Sequence, residues 1–183
     1  MAATSEPRLA CPARACVEPA RLVDLVAIFN LIQLGATEGH FNPIYLKPRY
    51  QAGLGLQLLS VLLASRMKVP GGIWRAARMQ VLRVEGSFTG FALVLRIDAP
   101  PGADRRELYM CSVLPERRGV GWGRKLLQAV LESLPPGASV EADSLPAAVA
   151  MKRLLRGLGF RCPPRPMGPA GVQHFALERT RKV

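Results

Sequence analysis

Residues 107–123 run from an apolar strand through a tight basic loop into the start of a helix, and Gly119, Gly121 and Gly123 alternate at the junction. Glycine accepts left-handed backbone angles, so the turn can be sharp. Without a Cβ, its main chain can also come close to a ligand. The helix that follows adds the positive end of its dipole and N–H groups that have no partner within the helix. Arg117, Arg118, Arg124 and Lys125 put charge at the same point. The segment reads as an anion cradle suited to a diphosphate, and it demands an α/β fold in which a strand ends against a helix N-terminus.

Two common phosphate-binding folds do not fit. A dinucleotide fold needs G-x-G-x-x-G followed by an acidic residue about 20 positions on, and a nucleotide hydrolase needs Gly-Lys-Ser/Thr in its loop. Neither pattern is present.

The flanking sequence divides into regular elements. Apolar residues at 22, 25, 26, 28, 29 and 32 predict a helix over Arg21–Leu34, with Asp24 early and Gly35 as its stop. Gly35 to Tyr50 is turn-rich, with Pro43 and Pro48, and 51–66 reads as a second helix despite Gly53 and Gly55; 69–74 reads as a loop. Met79–Val84 and Phe88–Ile97 are β-rich runs joined by Glu85-Gly86-Ser87, which predicts a hairpin. A turn at 99–102 leads to a third strand, 107–114, completing an antiparallel meander. Beyond the glycine loop, Leu126, Leu127, Val130, Leu131 and Leu134 share a helical face until Pro135-Pro136-Gly137. Ser139–Asp143 follows that helical crossover, so it should run parallel to 107–114. Ala150, Met151, Leu154, Leu155 and Leu158 stripe a last helix that starts near Pro146 and ends at Gly159, and Val172–Glu178 is a final strand.

The order αα-βββ-α-β-α-β gives a mixed α/β fold, and 183 residues, half of them apolar, suffice for one domain. Residues 1–19 lack periodicity and read as an unstructured segment, 20–178 as the domain and 179–183 as a basic tail. The first stretch has no continuous apolar region of the kind a secretory signal needs. The longest apolar runs, around Leu22–Leu34 and Leu54–Ala64, are too short to span a bilayer and carry Asp24, Asn30, Gln33 and Gln57. Cys11, Cys16, Cys111 and Cys162 form no paired C-x-x-C motif, and His40 and His174 lie far from them, so no metal site is expected and the thiols should be free. A cytoplasmic protein without membrane attachment is the expectation, and a homodimer is compatible with it.

The net charge of +12 sits mostly in the second part of the chain, with 20 Lys or Arg against 9 Asp or Glu from Val61 onward. Such basicity suits an anionic ligand and could also draw RNA, but no basic motif interleaved with aromatics supports nucleic acid as a partner. The 20 Arg against 5 Lys also fit a coding bias as the alternative source of the charge.

The loop spacing, Arg118-x-x-Gly121-x-Gly123 introduced by Val113-Leu114-Pro115, resembles the coenzyme A loop of the GNAT acetyltransferase superfamily. In that family a Gln or Arg, two residues, a Gly, one residue and a Gly or Ala follow a V-x-P, and an amphipathic helix comes next. Leu158-Gly159-Phe160 is similar to the family's common L-G-F ending. The resemblance covers residues 79–178 by motif and 20–66 only by order of elements. It implies a mixed, mostly antiparallel sheet that splays at the acyl-CoA site. It also implies acetyl-CoA as co-substrate, an amine acceptor (a small molecule or a protein amino group) and direct transfer.

Carried over residue by residue, Arg118, Gly119, Val120, Gly121, Trp122, Gly123 and Arg124 would form the cofactor cradle, with main-chain groups near Cys111 and Val113 bonding the pantetheine arm. The Cys111 amide would face the thioester oxygen. Glu107 matches in register the general base of the histone-acetylating branch, and it could equally open the strand and pair with Arg105 or Arg106; Tyr109, Glu141 and Asp143 are lesser candidates. In the loop that usually shapes the acceptor site, Glu38 and His40 are the candidate substrate residues. The family's tyrosine that donates to departing CoA is replaced by Leu155, and its asparagine by Ala148. Those departures leave open a catalytically weak acyl-CoA-binding regulatory domain. Basicity keeps an aminoacyl-tRNA-acetylating, toxin-like member in view, although such members generally use the missing tyrosine.

Overall fold

The computed structural model describes residues 14–66, 77–100, 103–163, 168 and 171–178. One sheet holds six strands in chain order: β1 Ala15–Pro19, β2 Arg78–Val84, β3 Ser87–Ile97, β4 Arg105–Val113, β5 Ser139–Ser144 and β6 Gln173–Leu177. The first four are antiparallel neighbours. As the crossover required, β5 runs parallel to β4, and β6 returns antiparallel to β5.

Helices α1 Leu25–Thr37 and α2 Pro48–Arg66 pack on one face. There Ile28, Leu31, Ile32 and Leu58 meet Val81, Phe91, Leu93 and Met110. On the other face lie α3 Trp122–Glu132 and α4 Val149–Gly157. Leu126, Leu127, Val130 and Leu155 there close over Leu82, Ala92, Val94 and Leu108. The sheet is therefore buried on both sides through its centre, and the predicted stripes bury in part: Ile28, Ile32, Leu126, Leu127, Val130 and Leu155 are buried, whereas Leu22, Val26 and Ala150 are exposed.

Three expectations need correction. Residues 1–19 were expected to be unstructured, yet Ala15–Pro19 forms an edge strand on β2. A five-residue strand is too short for alternation to show, and its partners are remote in sequence. Ala15 and Val17 pack against the α3/α4 core, while Arg83 reaches Glu18 at 2.5 Å and Asp24 at 2.7 Å. Gly35 does not stop the first helix, which continues to Thr37. The left-handed turn comes at Gly39, φ +73°. Gly35 is instead a contact: a Cβ there would lie 2.5 Å from the Phe41 ring. Last, α2 begins at Pro48 rather than 51, with proline in the first turn, where a missing N–H costs nothing.

The β2–β3 hairpin turns through Glu85 and Gly86, both at positive φ, as a tight two-residue turn requires. The expected loop at 69–74, part of the turn at 99–102, residues 1–13 and the tail at 179–183 lie outside the described residues.

Candidate active-site cleft

Strands β4 and β5 pair over only three positions, Arg105↔Ser139, Arg106↔Val140 and Glu107↔Glu141. Beyond them the strands diverge, and a cleft of about 600 Å³ opens along β4 from Glu107 to Val113 and along β5 from Ala142 to Ser144. Met151, Leu154 and Leu155 of α4 form one side, and His40, Phe41, Asn42 and Tyr45 from the α1–α2 connection close the other.

A β-bulge shapes the β4 wall. Leu93 pairs with Met110 and Val94 with Leu108, so Tyr109 has no partner on β3. The extra residue breaks strict alternation. Leu108 and Cys111, three positions apart, both face the α3/α4 core, while Tyr109 and Met110 face α1 and α2.

The glycine loop stands at one end of the cleft. Pro115–Arg117 makes a single 3-10 turn, Gly119 and Gly121 take φ +82° and +92°, and α3 starts at Trp122. Lys125 N–H is bonded to Gly121 C=O at 3.1 Å, so the N–H groups ahead of it in the first turn project beyond the helix end. A Cβ at Gly119 or Gly121 would meet nothing within 4 Å; at these two positions glycine answers to backbone angle. Gly123 answers to packing, because a Cβ there would lie 3.3 Å from Leu154 Cδ2. Gly119, Gly121, Gly123 and Arg124 line the cleft, whereas Val120 is exposed and Trp122 packs against the core.

Two of the loop's cations are engaged within the protein. Arg118 donates from Nε to Val113 C=O at 2.9 Å and from Nη1 to both Glu38 carboxylate oxygens at 3.0 and 2.8 Å. Its Nη2 is buried with no hydrogen-bond partner among the described residues. Arg124 donates to Gly157 C=O at 3.0 Å, tying α3 to the end of α4. The glycine loop thus offers the cleft chiefly main-chain N–H groups, and Arg118 braces the loop against Val113 and Glu38.

Glu38 is the other end of that brace. It also meets His40 Nδ1 at 3.0 Å. His40 borders the cleft and Glu38 does not.

On the α1/α2 side, Glu107 and Tyr109 of β4 face the opening with the Tyr45 hydroxyl 3.0 Å from that of Tyr109. Burial, and next the charges of Asp143 and Glu141, push the Glu107 carboxyl above its ordinary value, with His174 opposing. Glu141 is held by Arg105, and Asp143 by His174 Nδ1 at 2.8 Å. Desolvation also pushes the Tyr45 phenol up. The Cys111 thiol is buried in the core and raised to about 12, so it stays protonated and is a poor nucleophile.

Of the residues read from sequence, Glu107, Cys111, Val113, Arg118, Gly119, Gly121, Gly123, Arg124 and His40 border this one cleft. Asn42 and Ser144 do so as well and were not anticipated; a lone polar residue in a loop or at a strand end carries no pattern that marks it. Among the described residues no group of three His, Cys, Asp or Glu side chains could hold a metal ion, and no helix is long and apolar enough to cross a membrane.

Residues 72–160 match the acetyltransferase (GNAT) family. No curated protein matches the chain in sequence. Solved structures do match in fold. PaiA N-acetyltransferase from Thermoplasma acidophilum, in complex with coenzyme A, is 10% identical with a TM-score of 0.68, over 90% of this chain and 99% of that one. YncA from Salmonella typhimurium, with its cofactor acetyl-CoA, is 18% identical with a TM-score of 0.67, over 91% and 94%. Spermidine N-acetyltransferase from Vibrio cholerae, in complex with CoA and spermine, is 13% identical with a TM-score of 0.66, over 91% and 96%. At such identities the likeness is one of fold.

Proposed function

Residues 72–160 carry an acetyltransferase domain of the GNAT family, and from that premise we propose that the protein transfers an acetyl group from acetyl-CoA directly to an amine. The observation that carries this reading is the early parting of β4 and β5, which leaves an opening between them that reaches the glycine loop. The cradle suits a diphosphate: Gly121 presents no side chain, the α3 N-terminus supplies N–H donors, and Arg124 stands beside them. Acetyl-CoA would supply the activated acyl group.

In this reading Glu107 is the general base. An alkylamine with a solution pKa of about 10.4 is mostly protonated at neutral pH. A carboxylate whose own pKa is raised takes that proton, directly or through water, more readily than an ordinary one. The Cys111 main-chain N–H, next to the bulge, polarises the acyl oxygen, a role that its inert thiol does not disturb. Tyr45, Tyr109 and His40 shape the amine's approach. Asp143 and Glu141 add negative potential on that side, which favours a cationic acceptor. Glu38, committed to Arg118, links the acceptor loop to the cradle.

A second reading rests on Leu155, which is completely buried and offers no donor to a leaving thiol: a domain that binds acyl-CoA without turning it over. Calorimetry with acetyl-CoA, followed in the same samples by thiol release with polyamines, amino acids and peptides, separates the two. Amine-stimulated release supports the enzyme, binding without release supports the second reading, and no binding refutes both.

A further inference from the structure

Ser144 closes β5 as one of the few buried polar residues, 3% exposed, and its Oγ has no hydrogen-bond partner among the described residues. A buried hydroxyl without a partner is costly and calls for an acceptor. Alternation puts Ser144 on the side of Val140 and Ala142, facing the α3/α4 layer, and it lines the cleft beside Met151, Leu154 and Leu155.

The parallel register says what lies across from it. The last β4–β5 pair is Glu107↔Glu141. Three residues further on are Met110 and Ser144, and the β4 bulge shortens that strand by one position, which brings Cys111 level with Ser144. The hydroxyl therefore sits across the opening from the amide that faces the acyl oxygen in the reading above. Leu154 and Leu155 offer no donor, and Cys111, the other polar side chain at this level, is a weak one.

We propose that Ser144 Oγ–H is the hydrogen-bond donor to the sulfur of the bound thioester and to the thiolate as it departs. The proposal rests on the acetyl-CoA reading. The transfer forms a C–N bond and breaks a C–S bond. The electron pair of the broken bond leaves on sulfur; Glu107 takes the ammonium proton and passes it to water before attack, then takes the second N–H proton as the amide forms, and the released thiolate takes a proton from water. Ser144 keeps its own proton throughout, because an alcohol is a far weaker acid than a thiol. Its contribution is a hydrogen bond that strengthens as charge collects on sulfur.

Three measurements on Ser144→Ala test this. Thiol release should fall by about 10- to 100-fold in kcat, the range for a lost hydrogen bond to a charged group, while the acetyl-CoA Kd changes by less than about twofold. The thiol of bound coenzyme A, titrated by thiolate absorbance, should have a pKa higher by about one unit in the variant, with Ser144→Thr restoring part of the difference. Thermal stability without ligand should be unchanged or higher, because the substitution removes an unsatisfied donor. Unchanged kcat and unchanged thiol titration would overturn the proposal, and so would a drop in stability large enough to account for lost activity. If the wild type itself fails to bind acetyl-CoA, the function reading falls and takes this proposal with it; if binding persists, only the role of Ser144 is at stake.

Discussion

Gly121 is where the cradle can be tested with a charge and little else. At φ +92° any side chain adds strain, about 1–2 kcal/mol, and Asn and Asp bear it better than other residues and alike. A Cβ at this position meets no atom within 4 Å, so neither substitution clashes with the protein. Gly121→Asn and Gly121→Asp therefore share shape and backbone cost and differ by one negative charge at the helix N-terminus. Against a bound diphosphate at about 5 Å and an effective dielectric of about 20, that charge costs about 3 kcal/mol, roughly two orders of magnitude in Kd. Calorimetry with acetyl-CoA should show Asp binding about 100-fold more weakly than Asn, with the gap narrowing as salt is raised. If the two variants bind equally, no diphosphate lies over this glycine. If both match the wild type, the cradle is elsewhere.

Three further outcomes are expected. Glu107→Gln should lower amine-stimulated thiol release by about 100-fold and flatten the acid limb of its pH profile. Because the folded protein holds the Glu107 proton more tightly than the unfolded chain does, stability declines as pH rises from the unfolded pKa through the higher folded one, so the same variant should melt higher at pH 7. Glu38→Gln should raise the KM for acetyl-CoA several-fold through the released Arg118 and leave that of the amine unchanged; the opposite pattern in steady-state kinetics would return Glu38 to acceptor binding. Cys111→Ala should keep kcat within about twofold at a stability cost of about 1 kcal/mol, and alkylation of the native protein should label exposed Cys16 and Cys162 before Cys111, as peptide mapping would report.

The parts of this site legible from sequence are those that a short run of residues determines alone. Gly119 and Gly121 can take the positive φ of a sharp turn without help from remote partners, and helix α3 repeats a pattern in which Leu126, Leu127 and Val130 face one way. The parallel course of β5 follows from the handedness and length of a helical crossover. Elements that depend on remote partners were not legible. β1 is held by its pairing with β2, by Ala15 and Val17 against the core and by Arg83 on Glu18, and all of these partners lie beyond the α1–α2 region in sequence. Gly35, a plausible helix stop by composition, is glycine because Phe41 must come within contact distance of its Cα before it can border the cleft.

Charge was the least legible property, because residue type sets its sign and only the fold sets its destination. Arg118 carries the motif's cationic position, yet its guanidinium turns back to Val113 C=O and Glu38. The same geometry ties Glu38 to Arg118, outside the cleft lining, and the carboxylate that β4 presents to the cleft is Glu107, whose pKa is raised by burial and by two neighbouring carboxylates on another strand. A chain of net charge +12 thereby presents carboxylates where a cationic amine would enter and main-chain N–H groups where an anion would bind. The bulge at Tyr109 has the same character. Nothing in Leu108-Tyr109-Met110-Cys111 marks an extra residue, yet without it Cys111 would share a face with Tyr109, and its thiol would leave the core for the acceptor side.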